Sequence, residues 1–303
     1  MISVLIPVFN FDVTELVREL SRQATTAGIE FEIVIVDDAS EKMYRDLNSQ
    51  LASVNHVRYS EEPENIGRSK IRNKLAGLAI FPHLLFMDCD SRVPDSAYLT
   101  NYLKFCNGDL VVCGGRIYSP QKPVQQELLL RWKQGKSREE FAAAERNKSP
   151  NKSFMTNNFM ISKNLFNQIR FSEEIEGYGH EDTLFGYELT KNNFTIVHID
   201  NPLIHIGLET NTLFIEKTKE SIRNLNNILS LNGYEKMLVK NIRLLSFYSF
   251  IKKSKLDRLI NFIFRLFSKH LEKNLQGKNS NLLVFDFYKL GYLCKINRDN
   301  NPA

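Results

Sequence analysis

The sequence predicts an α/β fold, with a mainly parallel central sheet flanked by helices and a helical extension at its C-terminal end. Three observations carry this reading. Strand-like apolar runs alternate with helix-periodic segments through residues 1–208, the pattern of βαβ units. From Glu209 onward the periodicity is helical only. The charge changes sign at nearly the same place. Residues 211–303 carry 17 Lys/Arg and 7 Asp/Glu, a surplus of +10, whereas the rest carries 23 and 28, a net of −5. A catalytic-type domain over 1–208 and a basic, amphipathic helical region over 209–303 are expected.

The elements follow in order. "SVLIPV" reads as a buried strand, and Asp12 to Ala27 as a helix with Leu16, Val17 and Leu20 on one face. "FEIVIVDD" is a second strand, with a helix from Met43 to Leu51. "HVRYS" is a short strand, Gly67 to Leu78 a helix, "HLLFMD" a strand, Tyr98 to Phe105 a helix and "DLVVCGG" a strand. "SPQKPVQQ" and "ERNKSPNKS" read as irregular excursions around a short helical piece at Leu128 to Trp132. "FMTNNFMISKNLF" predicts strand then helix, "GYGHEDTLFGYELTKNN" a glycine-rich turn opening a helix at Glu181, and "FTIVHIDNPLIHIG" a strand and loop.

With 43% hydrophobic and 25% charged residues, the composition is that of a folded protein and argues against wholesale disorder. The four cysteines, Cys89, Cys106, Cys113 and Cys294, form no CxxC pair, so a reducing, cytoplasmic compartment without disulfides is expected. "MISVLIPVFN" has neither a basic flank nor a small-residue cleavage site, which speaks against a signal peptide. No uncharged apolar run reaches the roughly 18 residues of a membrane span. No nucleic-acid partner is expected.

In the tail, Leu256, Leu259, Ile260, Ile263, Phe267 and Leu271 recur at helical spacing within "KLDRLINFIFRLFSKHLEK". Arg258, Arg265, Lys269 and Lys273 fall largely on the other side, and "LLSFYSFIKKSK" sets further aromatics beside bases. Two readings stay open: a helix lying in a membrane surface on the cytoplasmic side, or a helix packed on the core with a solvated basic face.

Polar residues stand where the predicted strands end, the place where ligands collect in parallel sheets. Asp37 and Asp38 follow the second strand, and Asp88 and Asp90 follow the strand in "LLFMDCDSR". Charge at the end of a buried strand is costly unless something uses it. A divalent ion on a diphosphate needs only one or two protein carboxylates, although an isolated D-x-D also suits turns and helix caps. "ENIGRSKIRN" supplies Gly67, where backbone can pass close to a ligand, and Arg72 and Asn73, with Arg72 able to reach phosphate or clamp an aspartate. Glu181 and Asp182 open a helix, a position that favours their charge and suits a general base as well as a first-turn residue.

Taken in order, "SVLIPVFN", "VIVDDAS", "NIGRSKIRN", "LLFMDCDSRV", "GYGHEDTLFGYEL" and "PLIHIG" resemble the family 2 glycosyltransferases over roughly the first two thirds of the chain. That resemblance implies the GT-A fold, Rossmann-like, and inverting transfer of a sugar from a UDP-sugar to a glycan or lipid-linked glycan. It implies Asp38 as the uracil ligand, with Pro7, Phe9, Asn65, Arg72 and Asp88 also on the donor. It implies Asp88 and Asp90 on ribose and metal, Mn2+ or Mg2+, with His205 completing the metal site, and Asp182 as general base. Glu181, His180 and Trp132 are the residues expected beside the acceptor. A packed core histidine is the alternative for His205, and simple packing is the alternative for Trp132. "LLLRWKQG" resembles the Arg-Trp motif of processive synthases but precedes the Glu-Asp pair, so a processive enzyme is not expected. Two other functions stay open: a sugar nucleotidyltransferase, against which "PVFNFDVTE" lacks a glycine-rich basic loop, and a non-catalytic glycan- or membrane-binding protein of the same fold.

Overall fold

Segments dominated by β-branched and aliphatic residues open the chain, and they form strands buried on both faces: β1 (Ile2–Val8) and β2 (Phe31–Asp37). The computed structural model describes residues 1–174, 177–229 and 234–300, so 230–233 and 301–303 of the expected helical tail lie outside the described residues. Between β1 and β2 runs α1 (Thr14–Thr26), which buries Leu16, Val17 and Leu20 as its spacing predicts. Then come α2 (Lys42–Asn48), β3 (Val57–Glu61), α3 (Arg68–Leu78), β4 (His83–Met87), β5 (Ser91–Arg92), α4 (Tyr98–Leu103), β6 (Leu110–Cys113) and β7 (Arg116–Ile117). They are followed by α5 (Leu129–Arg138), α6 (Ala143–Arg146), β8 (Asn158–Ser162), α7 (Lys163–Ile169), α8 (Glu181–Lys191), β9 (Thr195–His198) and β10 (Leu203–His205). The rest is helical: α9 (Asn211–Ile228), α10 (Glu235–Asn241), α11 (Arg243–Lys253), α12 (Asp257–Gln276) and α13 (Leu282–Asn300).

The main sheet has the order β3-β2-β1-β4-β8-β6-β9. All neighbours are parallel except β8, which runs antiparallel to both β4 and β6. One face is packed with phenylalanines. Phe86 stacks on Phe159 at 4.9 Å between ring centroids, and Phe171 stacks on Phe185 at 4.2 Å. Such aromatic pairs add about 1 kcal/mol each beyond the area they bury. A second, three-stranded sheet, β5-β10-β7, is too short to show in a periodicity. The "PLIHIG" segment, which reads as loop, therefore contains a strand whose register sets His205 opposite Ser91.

Chain contacts divide the protein into two units. The first comprises 1–119, 138–174 and 181–207; the second comprises the described residues of 120–137, 175–180 and 208–303. In the second unit α5 is fastened to the tail. Leu130 N–H donates to Asn211 Oδ1 (2.9 Å), and Lys133 Nζ donates to the Ser280 carbonyl (2.6 Å). In the first unit α6 takes in only Glu145 and Arg146 of "ERNKSPNKS", and the rest of that stretch is turns, as its composition predicts. Arg146, at the end of α6, is buried and donates to the carbonyls of Cys113 (3.2 Å), Gly114 (3.0 Å) and Ile199 (2.7 Å). Those bonds satisfy backbone groups at the ends of β6 and β9. No helix among the described residues is long and apolar enough to cross a membrane.

Asn158, fully enclosed at the start of β8, ties the first unit together. The Tyr98 and Tyr102 hydroxyls each donate to its Oδ1 at 2.6 Å, and its Nδ2 donates to the carbonyls of Gly115 (2.9 Å) and Asn201 (3.0 Å). Asn158→Leu strips partners from two buried hydroxyls and two buried carbonyls. A loss of about 3 kcal/mol or more is expected, read as a lower urea midpoint with an unchanged slope.

Candidate active site

β2, β1 and β4 are neighbours, so the acids after β2 and β4 gather at one edge of the sheet. Asp38 is buried there and takes two backbone N–H bonds, from Ile66 (2.7 Å) and Gly67 (3.1 Å). Gly67, with φ +85°, adopts the left-handed backbone that this approach requires before α3 begins. Burial pushes the Asp38 carboxyl up against the pull of those two N–H groups, and Glu62 and Asp37 add to the rise. Exposed Asn65 donates from Nδ2 to the Asp38 carbonyl (3.1 Å). Pro7 pairs with Val36 in the sheet, and Phe9 stands exposed just beyond β1.

Asp88 is clamped. Its Oδ1 accepts from Arg72 (2.8 Å) and its Oδ2 from Arg116 (2.9 Å). Arg72, itself 3% exposed, lies 3.9 Å from Glu181 Oε1, and Arg68 approaches the same oxygen at 3.4 Å. Arg116 reaches on to Glu139 (3.6 Å), which also accepts from the Tyr118 hydroxyl. The sequence reading missed Arg116; its one signal is a basic residue directly after the glycines that end "VVCGG". Cys89, between the two aspartates, packs against the apolar core, and burial, then the charge of Asp90, pushes its thiol up to about 12.

Asp90 lies beside His205 because β10 pairs with β5: Ile206 N–H donates to the Asp90 carbonyl (2.9 Å), and Asp90 Oδ2 is 3.3 Å from His205 Nδ1. That contact has ion-pair distance without hydrogen-bond alignment. Asp90 Oδ1 and both ring nitrogens of His205 are buried with no hydrogen-bond partner among the described residues. Burial works to raise the Asp90 carboxyl, but His205, Arg116 and Arg68 outweigh it and hold it well below the usual range. The Tyr118 ring stands edge-on to His205, centroids 5.3 Å apart. A Cβ on Gly207 would lie 2.6 Å from Asp90 Cβ, which explains the glycine that ends "IHIG".

These unpartnered atoms fit a hard divalent ion: one carboxylate and one imidazole, buried side by side. Asp90 and His205 are the pair suited to it, while both oxygens of Asp88 are already engaged by guanidinium groups. Among the described residues no group of three or more His, Cys, Asp and Glu side chains assembles as a metal site. Two protein ligands would leave the other positions to phosphate oxygens and water.

Asp182 is partly exposed in the first turn of α8, and its Oδ1 accepts from the Thr183 N–H (2.7 Å). Burial, then the adjacent Glu181 charge, pushes its carboxyl up to about 6 against Thr183 and Arg72. His198 is held elsewhere, between Arg146 (2.8 Å) and the Pro150 carbonyl (2.9 Å). His180 and Trp132 belong to the second unit, where His180 Nε2 is 3.1 Å from Ser221 Oγ and Trp132 is half-buried.

The profile of the family described as glycosyl transferase family 2 matches residues 3–170. Among solved structures, S. aureus TarS 1–349 is similar at 19% identity and a TM-score of 0.51, covering 100% of this chain and 92% of that one. The same protein in complex with UDP-GlcNAc is similar at 18% and 0.51, covering 96% and 90%. The mannosyltransferase PcManGT from Pyrobaculum calidifontis, in complex with GDP-Man and Mn2+, is similar at 12% and 0.59, covering 99% and 87%. At these identities the likeness is one of fold. No curated protein matches the chain.

Arg72→Met leaves Asp88 with one guanidinium and removes the buried cation beside Glu181. Breaking such a pair from one side is expected to cost about 3 kcal/mol, measured by chemical denaturation. Arg68→Met, at an exposed position, is expected to cost less than about 1 kcal/mol by the same measurement.

Proposed function

The chain belongs to glycosyl transferase family 2 and has the GT-A fold, and we propose that it moves a hexose or N-acetylhexosamine from a UDP-sugar to a hydroxyl of a glycan or lipid-linked glycan in surface polysaccharide synthesis. One observation carries the reading: the Glu181–Arg72–Asp88–Arg116 ion chain joins the start of α8 to the end of β4. It brings a carboxyl with a raised pKa into the same unit, and to the same set of charges, as the unpartnered Asp90–His205 pair.

The roles follow from those placements. Asp182 accepts the proton of the acceptor hydroxyl as that oxygen attacks the anomeric carbon. The bond from that carbon to the diphosphate breaks, and its electron pair leaves with the diphosphate on the opposite face, so configuration inverts. A carboxylate with a pKa near 6 is ionised at neutral pH yet basic enough to take the proton in the transition state. Asp90 and His205 would hold Mn2+ or Mg2+, and a bound ion supplies positive charge against the departing diphosphate. Arg72 and Arg116 fix Asp88 at the end of β4, where it can meet a ribose hydroxyl. Asp38 holds the 66–67 backbone and keeps further lone pairs for the base. Binding of UDP-GlcNAc by TarS and of GDP-Man with Mn2+ by PcManGT supports a nucleotide-sugar donor.

The test is product release from UDP-sugars with Mn2+ and candidate glycans. UDP is the expected product, and pyrophosphate would identify a nucleotidyltransferase instead. Asp182→Asn is expected to keep UDP binding and lose transfer by ~100-fold or more. The sign of the pH dependence is fixed by the raised acid: below about 6 Asp182 is protonated and cannot accept. kcat/KM should therefore rise with pH through about 6 and then level, a limb missing from the residual rate of Asp182→Asn. Asp90→Asn is expected to weaken Mn2+ binding in the presence of UDP, followed by calorimetry.

A further inference from the structure

α12 carries two apolar stripes, and among the described residues only one of them is packed within the fold. On the inner side Phe264 packs edge-on against Tyr288 and Tyr292 of α13, with ring centroids 5.3 and 6.4 Å apart, and Gly291 admits it by lacking a Cβ. Leu275 and Asp257 are buried on the same side, Asp257 through Arg298 (2.6 Å). On the outer side Leu259, Phe262 and Leu266 recur at helical spacing and remain exposed. With Phe247 and Phe250 of α11, these residues are between 52% and 66% exposed. Single exposed apolar residues are ordinary, but an aligned aromatic and leucine stripe with no partner among the described residues marks a contact surface.

The charge on these helices selects the partner. Residues 243–276 contain eight Lys/Arg and two Asp/Glu. Both acids are engaged within the unit, Asp257 by Arg298 and Glu272 by Lys219 (2.8 Å). The outer stripe continues along α12 as Lys269 and Lys273, with Arg258 on its flank, and Lys252, Lys253 and Lys255 occupy the preceding turn. All six are exposed, and none has a carboxylate partner among the described residues. A second copy docked symmetrically on this face would bring like charges together. An anionic lipid surface meets both requirements, taking the leucine and phenylalanine side chains among acyl chains and the cations among phosphates.

We propose that the outer face of α12, with the α11–α12 turn, docks this protein on a membrane surface rich in anionic lipid. The docking is peripheral and reversible, and it is independent of the transfer chemistry. It also gives a physical reason for an enzyme of this kind to meet a lipid-linked acceptor.

Flotation of the full chain with phosphatidylcholine vesicles, with and without phosphatidylglycerol, tests this. Binding is expected only to the anionic vesicles and is expected to weaken as salt is raised. The double substitution F262S/L266S should lower it at least ten-fold. K269Q/K273Q should lower it and flatten the salt dependence. The substituted side chains are exposed, and unchanged circular dichroism and UDP binding confirm that the fold is retained. Three results would overturn the proposal: no binding of the wild-type chain to anionic vesicles, binding by both variants undiminished from wild type, or a lipid-free dimer that F262S/L266S dissolves while vesicles go unbound.

Discussion

Two guanidinium groups on one carboxylate organise the first unit. Asp88 follows β4, a strand buried from Leu84 to Met87, where an unpaired charge would be costly, and Arg72 from α3 and Arg116 from β7 close on it from separate elements. Each arginine then reaches a second acid, Arg72 towards Glu181 and Arg116 towards Glu139, so five segments separated in sequence share one ion network. Their relative positions are therefore set by directional contacts as well as by apolar packing, which is non-directional.

The network also separates the roles of neighbouring carboxylates. Asp88 is saturated by cations, whereas Asp90, two residues on, keeps a buried oxygen without a partner beside an imidazole in the same condition. Glu181 lies against arginines, whereas Asp182 has burial and a like charge raising its pKa. In each pair one acid is held by the fold and the other is left available for chemistry, and it is the available member to which we assign the catalytic work. The contrast arises from environment, because the residue types alone are interchangeable.

The helical tail follows the same economy of surfaces. α12 uses one stripe to pack against α13 and leaves a second outward, the face to which we assign the proposed membrane contact. The α5 segment, bound to Asn211 and Ser280, belongs with this unit although it lies between strands of the other.

The sequence determined a good deal by itself. Continuous aliphatic runs announced β1, β2 and β4, helical spacing announced α1 and α3, and the order of the acidic motifs pointed to the family. Aspartates at strand ends were legible because parallel strands place their C-terminal ends at one edge. Three features were not. β5, β7 and β10 are two or three residues long and carry no periodicity, so the strand pairing that sets His205 beside Asp90 could not be read, although the resemblance implied that the two share a site. Arg116 stands 28 residues from Asp88, and the glycines before it mark a turn without naming the carboxylate it meets. The two apolar stripes of α12 merge into one broad hydrophobic pattern until α13 covers one of them. Local sequence sets what an element is, because propensity and periodicity act within a few residues. Tertiary structure alone decides which side chains share a low-dielectric site, because that depends on contacts between segments that the chain does not place next to each other.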